Sequence, residues 1–159
     1  MEMLRRTLTL VFTLLAASAT LSAADNALIG TWKTNPAKTK VLIGPAPTVN
    51  VNKYQPSGAN GVKYTSDRTD AKGQKSHFEF TANFDGRTYP YKGPGTDRDG
   101  VVLKRIDSNT YQVLYKRGEE TLQINYWVVS KDGKTLTTVS TGVGPDNQVY
   151  SRLVVADKQ

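Results

Sequence analysis

The chain is 159 residues long, with a formal net charge of +7, one histidine and no cysteine. Without cysteine it can hold no disulfide, no thiol nucleophile and no Cys-ligated metal, and it cannot be a lipoprotein acylated at cysteine. Its length suits one domain, large enough to bury a core without covalent staples.

Met1 to Ala24 reads as a secretory signal. Arg5 and Arg6 give it a positive start, Thr7 to Leu15 is apolar and uncharged, and Ser22-Ala23-Ala24 supplies the small residues of a cleavage site. The apolar run is shorter than the ~20 residues that span a bilayer. Residues 25–159 are therefore expected to form the mature domain, without a transmembrane segment, in the periplasm or outside the cell. The remaining charges are interleaved. Lys104-Arg105 and Lys116-Arg117 fall in predicted strands, where neighbours face opposite ways, so neither pair concentrates charge. No nucleic-acid motif accompanies the basicity, and none is expected as partner.

After the signal, short alternating runs are punctuated by Gly, Asp, Asn and Pro, and no helical period is sustained. Leu28 to Lys33 is the first predicted strand, ended by Asn35-Pro36, and Gly44-Pro45-Ala46-Pro47 keeps the next connection extended or looped. Strands follow at Thr48 to Gln55, Val62 to Thr69 and Gln74 to Phe84. Asp85-Gly86 signals a type I′ hairpin turn, which needs positive φ at both central residues. Arg87 to Lys92, Val101 to Ile106, Thr110 to Arg117, Thr121 to Ser130, Thr135 to Val143 and Gln148 to Val155 complete about ten strands in hairpin order. Such a series is best closed, since closure removes exposed edges. The fold class is accordingly all-β, an up-and-down antiparallel β-barrel of about 8–10 strands. Pro90 cannot donate to a ladder and Gly93-Pro94-Gly95 follows it, which places a seam or portal at Tyr89 to Gly100.

Three rows carry the apolar side chains: Phe78, Phe80, Ala82 and Phe84; Tyr111, Val113 and Tyr115; and Leu122, Ile124, Tyr126 and Val128. If these face inward, they line either a filled core or a cavity for an apolar ligand.

Leu28-Ile29-Gly30-Thr31-Trp32-Lys33, then Asn35-Pro36-Ala37-Lys38, Phe80-Thr81-Ala82 with Phe84-Asp85-Gly86, Tyr89-Pro90, Leu103-Lys104-Arg105-Ile106-Asp107 and Val129 to Thr137 together resemble a group of small exported bacterial lipocalin-like proteins. The resemblance runs over nearly the whole mature chain. It implies a calycin-type barrel that binds a small hydrophobic molecule. Gly30 and Trp32 match the lipocalin Gly-x-Trp, whose Trp plugs the closed end under a basic residue of the last strand. Arg152 is the matching candidate. The Arg-x-Tyr that holds a carboxylate in fatty-acid-binding barrels is missing, because Val154 stands two residues after Arg152.

Catalytic signals are weak. His77, with Glu79 two residues on, could serve a relay or ligate haem, but no Gly-x-Ser-x-Gly is present and a solvated outer-face histidine accounts for it. Asp97-Arg98-Asp99-Gly100 lacks the remaining ligands of a calcium loop and reads as a polar turn. The expected protein is not an enzyme and uses no metal or cofactor. It binds an apolar or amphipathic small molecule, with Trp32, Phe78, Phe80, Tyr89, Tyr91 and Tyr126 shaping the pocket and Arg152 on Trp32 or facing a polar head. The alternative is a solid-core envelope protein that meets an anionic polymer or another protein through its basic surface.

Overall fold

The computed structural model describes residues 26–46, 48–70, 72–144 and 147–159. The signal read at Met1 to Ala24 lies outside them, as do Pro47, Ala71, Pro145 and Asp146 of the turn clusters. Eleven strands form one antiparallel sheet: β1 (Gly30–Thr34), β2 (Lys40–Ile43), β3 (Val49–Ser57), β4 (Gly61–Thr69), β5 (Lys75–Asn83), β6 (Asp85–Lys92), β7 (Gly100–Arg105), β8 (Thr110–Arg117), β9 (Glu120–Val129), β10 (Thr135–Val143) and β11 (Val149–Lys158). From β3 to β11 each strand pairs with the next, and β1 bridges β3 and β11, so the sheet closes into an up-and-down barrel with a lipocalin-like topology. The alternating runs of the sequence thus become strands whose inner residues share one enclosed space.

The eleventh strand is β2, read from the sequence as part of a connection. Its four residues are all exposed and show no alternation, so nothing in the pattern marks it. It continues the line of β1 along β11, pairing at Ser151, Arg152 and Leu153, while β1 pairs with residues Ala156 to Lys158. The break between them is organised by Asn35. Its side-chain carbonyl accepts from the Ala37 amide at 3.1 Å, and its amide donates to Asp157 at 2.6 Å. Lys38 Nζ meets the other Asp157 oxygen at 2.8 Å. These bonds hold the Asp157 carboxyl below the usual carboxylate range, Asn35 first and Lys38 second. A depressed acid stabilises the folded state above its unfolded value near ~4 and loses that contribution as pH falls through the folded value. Asp157→Asn is therefore expected to lower stability at neutral pH and to flatten the acid limb below about pH 4. Thermal melts of both proteins from pH 2 to 7 check this, and parallel curves would show that the clasp carries none of the closure.

Asp85-Gly86 departs from its expected turn. Gly86 has φ +78°, but Asp85 is not left-handed, and the β6–β7 register shifts between Asp85 and Thr88. The pair forms a bulge at a barrel corner, where Asp85 accepts from the Arg87 amide at 3.0 Å and from the Tyr89 hydroxyl at 2.8 Å. The seam expected near Pro90 is present in part. β5 and β6 pair only at Glu79–Lys92 and Phe80–Tyr91, consistent with a residue that cannot donate.

The interior changes character from one end to the other. Inward rows read Val62, Tyr64, Ser66, Arg68 on β4; Val129, Trp127, Asn125, Gln123 on β9; Leu136, Thr138, Ser140 on β10; and Ala156, Val154, Arg152 on β11. Each begins apolar at one end and finishes polar at the other. Leu28, Trp32, Val62, Leu103, Tyr111, Val113 and Leu136 fill the apolar end. The barrel is neither solid nor hollow throughout: one half is packed and the other holds a cavity.

Candidate functional site

The cavity occupies the polar half and measures about 300 Å³, at the small end of the range for ligand pockets, roughly 300–1,000 Å³. Its floor is aromatic. Tyr64 packs against Tyr54 with ring centres 5.1 Å apart and lies 6.0 Å from Trp127, nearly parallel to it. Tyr54 meets Trp127 edge-on at 5.1 Å. Phe80 stacks beneath Tyr64 at 4.7 Å. Such offset and edge contacts fix the rings beyond what area burial alone supplies.

The walls are polar. Gln123 Nε2 donates to Asn125 at 2.6 Å and to Ser140 at 2.9 Å, and Tyr64 donates to Asn52 at 3.3 Å. Gln123 is inward because of a bulge: the β8–β9 register shifts past Leu122, so Tyr115 faces Gln123 and Lys116 faces Thr121. The same bulge overturns the expected face of β9. Ile124, Tyr126 and Val128 point outward, Tyr126 being 41% exposed, and its hydroxyl accepts from Gln112 at 2.9 Å on the outer surface.

Three guanidinium groups reach this cavity, from Arg68, Arg98 and Arg152. Arg68 lies 4.0 Å over the Phe78 ring, Arg98 lies 5.4 Å from Tyr115, and Arg152 lies 4.4 Å from Tyr150. Among the described residues none of the three has a carboxylate partner. Burial first, with Arg98 and Arg68 adding to it, pushes the Arg152 guanidinium below its ordinary range. Burial raises the Tyr54 and Tyr115 phenols well above theirs and takes Tyr91 to about 12. These phenols are neutral at physiological pH and leave the positive charge unbalanced.

Arg98 arrives from the loop between β6 and β7, and its two acidic neighbours put it there. Asp97 pairs with Arg117 at 3.3 Å, and both Asp99 oxygens accept from the Gly118 amide, at 3.0 and 3.1 Å. The Asp99 backbone bridges Tyr91 and Lys116. With both acids engaged on the β8–β9 hairpin, Arg98 turns inward and donates to the Tyr150 hydroxyl at 3.2 Å. The polar turn read at Asp97 to Gly100 is thus a strap that delivers a cation.

The expected pocket residues disperse. Arg152 lines the cavity. Phe78 and Phe80 belong to the packed aromatic layer, with Tyr91 stacked 6.1 Å from Phe78. Neither Tyr89 nor Tyr91 lines the cavity: Tyr91 is buried, and the Tyr89 hydroxyl donates to Asp85. Trp32 is fully buried at the apolar end, and its indole N–H donates to the Leu28 carbonyl at 2.8 Å. The cation above it is Lys158, 5.0 Å from the ring, in place of Arg152. Trp32 and Lys158 are register partners on β1 and β11, whereas Arg152 lies toward the other end of β11.

His77 is exposed on the outer face. Its Nδ1 is 2.7 Å from Asp67, its direct cross-strand partner, so Asp67 orients it where Glu79 was the sequence candidate. Among the described residues no group of His, Asp or Glu gathers to hold a metal ion, and no helix is long and apolar enough to cross a membrane.

Comparison with known proteins finds no matching family model and no matching curated protein. Among solved structures the chain is similar to a redesigned beta barrel, at 12% identity and a TM-score of 0.49, over 87% of this chain and 96% of that one. The chain's own strand order and closure carry the description of its fold.

Proposed function

We propose that this protein is an exported, lipocalin-like carrier of a small amphipathic molecule. The observation that carries the reading is the cavity of about 300 Å³ at one end of the barrel, floored by Tyr54, Tyr64 and Trp127 and walled by polar side chains. An aromatic floor removes an apolar body from water, and the polar wall fixes its orientation. Export rests on Met1 to Ala24, with its basic start, apolar run and small-residue site. The likeness of Gly30-x-Trp32 and the segments that follow it to small exported bacterial lipocalin-like proteins agrees with both parts of the proposal.

The two tryptophans supply the test. They are the only ones in the chain, and they sit in different halves: Trp127 in the cavity floor, Trp32 in the packed end. Titration with N-phenyl-1-naphthylamine (neutral) and 8-anilinonaphthalene-1-sulfonate (anionic) is expected to give saturable energy transfer from tryptophan for at least one probe. The environment-sensitive change in tryptophan emission should survive in Trp32→Phe and vanish in Trp127→Phe. A folded protein that binds neither probe would remove the carrier reading.

A further inference from the structure

We infer that the occupant of this cavity is an organic oxyanion: a carboxylate, sulfonate or phosphate ester on a small apolar body, its charged head held by Arg68, Arg98 and Arg152. The inference rests on the carrier reading above and names its ligand class.

Three observations converge on it. First, three arginines from separate elements, β4, the β6–β7 loop and β11, line one small cavity, and among the described residues no acid answers them. Grouping half-buried like charges without a counterion opposes folding. Their aromatic neighbours Phe78, Tyr115 and Tyr150 support the cations but neutralise nothing. Second, the donor and acceptor inventory is incomplete. Arg98 Nε and Gln123 Oε1 are both buried and have no partner within the described protein. A buried guanidinium donor left unmade is costly, and carboxylate, sulfonate and phosphate oxygens are the acceptors that match its planar fork, often through two parallel bonds. Gln123 Oε1 in turn asks for a donor, such as a hydroxyl or amide N–H beside the charged head. Third, the placement is built: Asp97 and Asp99, the acids nearest in sequence to Arg98, are turned away onto Arg117 and Gly118. The local acids are kept from quenching the cluster.

A hydrated inorganic anion would satisfy the arginines but not the aromatic floor of Tyr54, Tyr64 and Trp127. A small amphipathic acid satisfies both.

The two naphthyl probes differ in the sulfonate, so their affinity ratio reads the charge preference directly. The full protein is expected to bind the sulfonate probe about tenfold or more tightly than the neutral amine. That ratio should fall severalfold in Arg98→Gln and in Arg152→Gln. It should stay unchanged in Arg87→Gln, whose side chain is exposed on the outer surface. Circular dichroism confirms the fold of each variant, and removing one of three like charges is expected to raise the melting temperature of the ligand-free protein, the opposite of a packing loss. If both probes bind equally, or if the preference survives in both cavity variants, the oxyanion inference falls while the carrier reading stands. A ratio that drops equally in Arg87→Gln traces the preference to the general positive surface and also overturns the inference. If neither probe binds the folded protein, both readings fall together.

Discussion

Trp32→Ala is expected to destabilise the barrel by about 3–5 kcal/mol, the range for removing a fully buried large aromatic. Against a total of roughly 5–15 kcal/mol for a domain of this kind, that is a large share. The effect has three parts. The indole is completely buried, so its loss leaves a void in the apolar cluster to which Leu28, Leu103, Tyr111 and Leu136 also belong. Its N–H holds the Leu28 carbonyl and so pins residues 26–29 across the barrel end. Tyr111 holds the same segment from the other side, donating to Asn26 at 2.6 Å. Lys158, over the ring, contributes only a half-exposed cation–π contact of about 0.5–1 kcal/mol. The order Trp32→Ala, then Trp32→Phe, then Lys158→Ala is therefore expected in urea unfolding. A Trp32→Ala loss below about 1 kcal/mol would show that the N-terminal segment closes nothing.

Trp127→Ala is expected to cost a comparable amount, toward the lower end of the same range, because the space it vacates opens into the cavity and can admit water. Its consequence for function differs from that of Trp32. Trp127 is buried yet forms part of the cavity floor, edge-on to Tyr54 and nearly parallel to Tyr64. Without it the floor loses its largest ring, and both naphthyl probes should bind about tenfold more weakly, whatever their charge. Trp127→Phe keeps an aromatic surface and should recover most of the affinity. Equal losses for both probes in Trp127→Ala, beside a charge-selective loss in the arginine variants, would separate floor from wall. A Trp127→Ala protein that binds both probes as tightly as the parent would place them elsewhere on the molecule.

Much of the barrel is legible in the chain because its information is local. Alternation sets strands, and Gly and Asn at positive φ set turns: Gly73, Gly118, Gly133 and Asn147 occupy left-handed positions between consecutive strands. Closure follows from the strand count, since so many consecutive hairpins leave two edges that must meet. The resemblance of Gly30-x-Trp32 to the lipocalin opening implied a buried ring on the first strand, and Trp32 is such a ring. β2 escaped notice because Val41, Leu42 and Ile43 neither alternate nor bury. They are strand by virtue of β11 alone, a neighbour more than a hundred residues away.

The site was legible only in fragments, and the reason is again physical. Which face of a strand turns inward depends on register, and a single bulge reverses it. On β9 the more apolar row, Ile124, Tyr126 and Val128, would have been assigned to the core by hydropathy. The extra residue at Leu122 instead turns Gln123, Asn125 and Trp127 inward. Arg68 shares its face with Val62, Tyr64 and Ser66, a parity visible in the sequence, but a terminal arginine on a strand ordinarily signals the rim. Arg98 lies in a loop whose direction is decided by contacts of Asp97 and Asp99 with another hairpin.

By itself, then, the sequence determined an all-β chain of consecutive hairpins and a closed barrel, because each rests on local pattern or on the need to remove edges; the tryptophan plug was implied by the lipocalin-like resemblance. Only the tertiary structure decided that half the barrel is packed and half is open. Only it could gather Arg68, Arg98 and Arg152 around one cavity, because their convergence depends on register, on a bulge and on a loop held by distant partners.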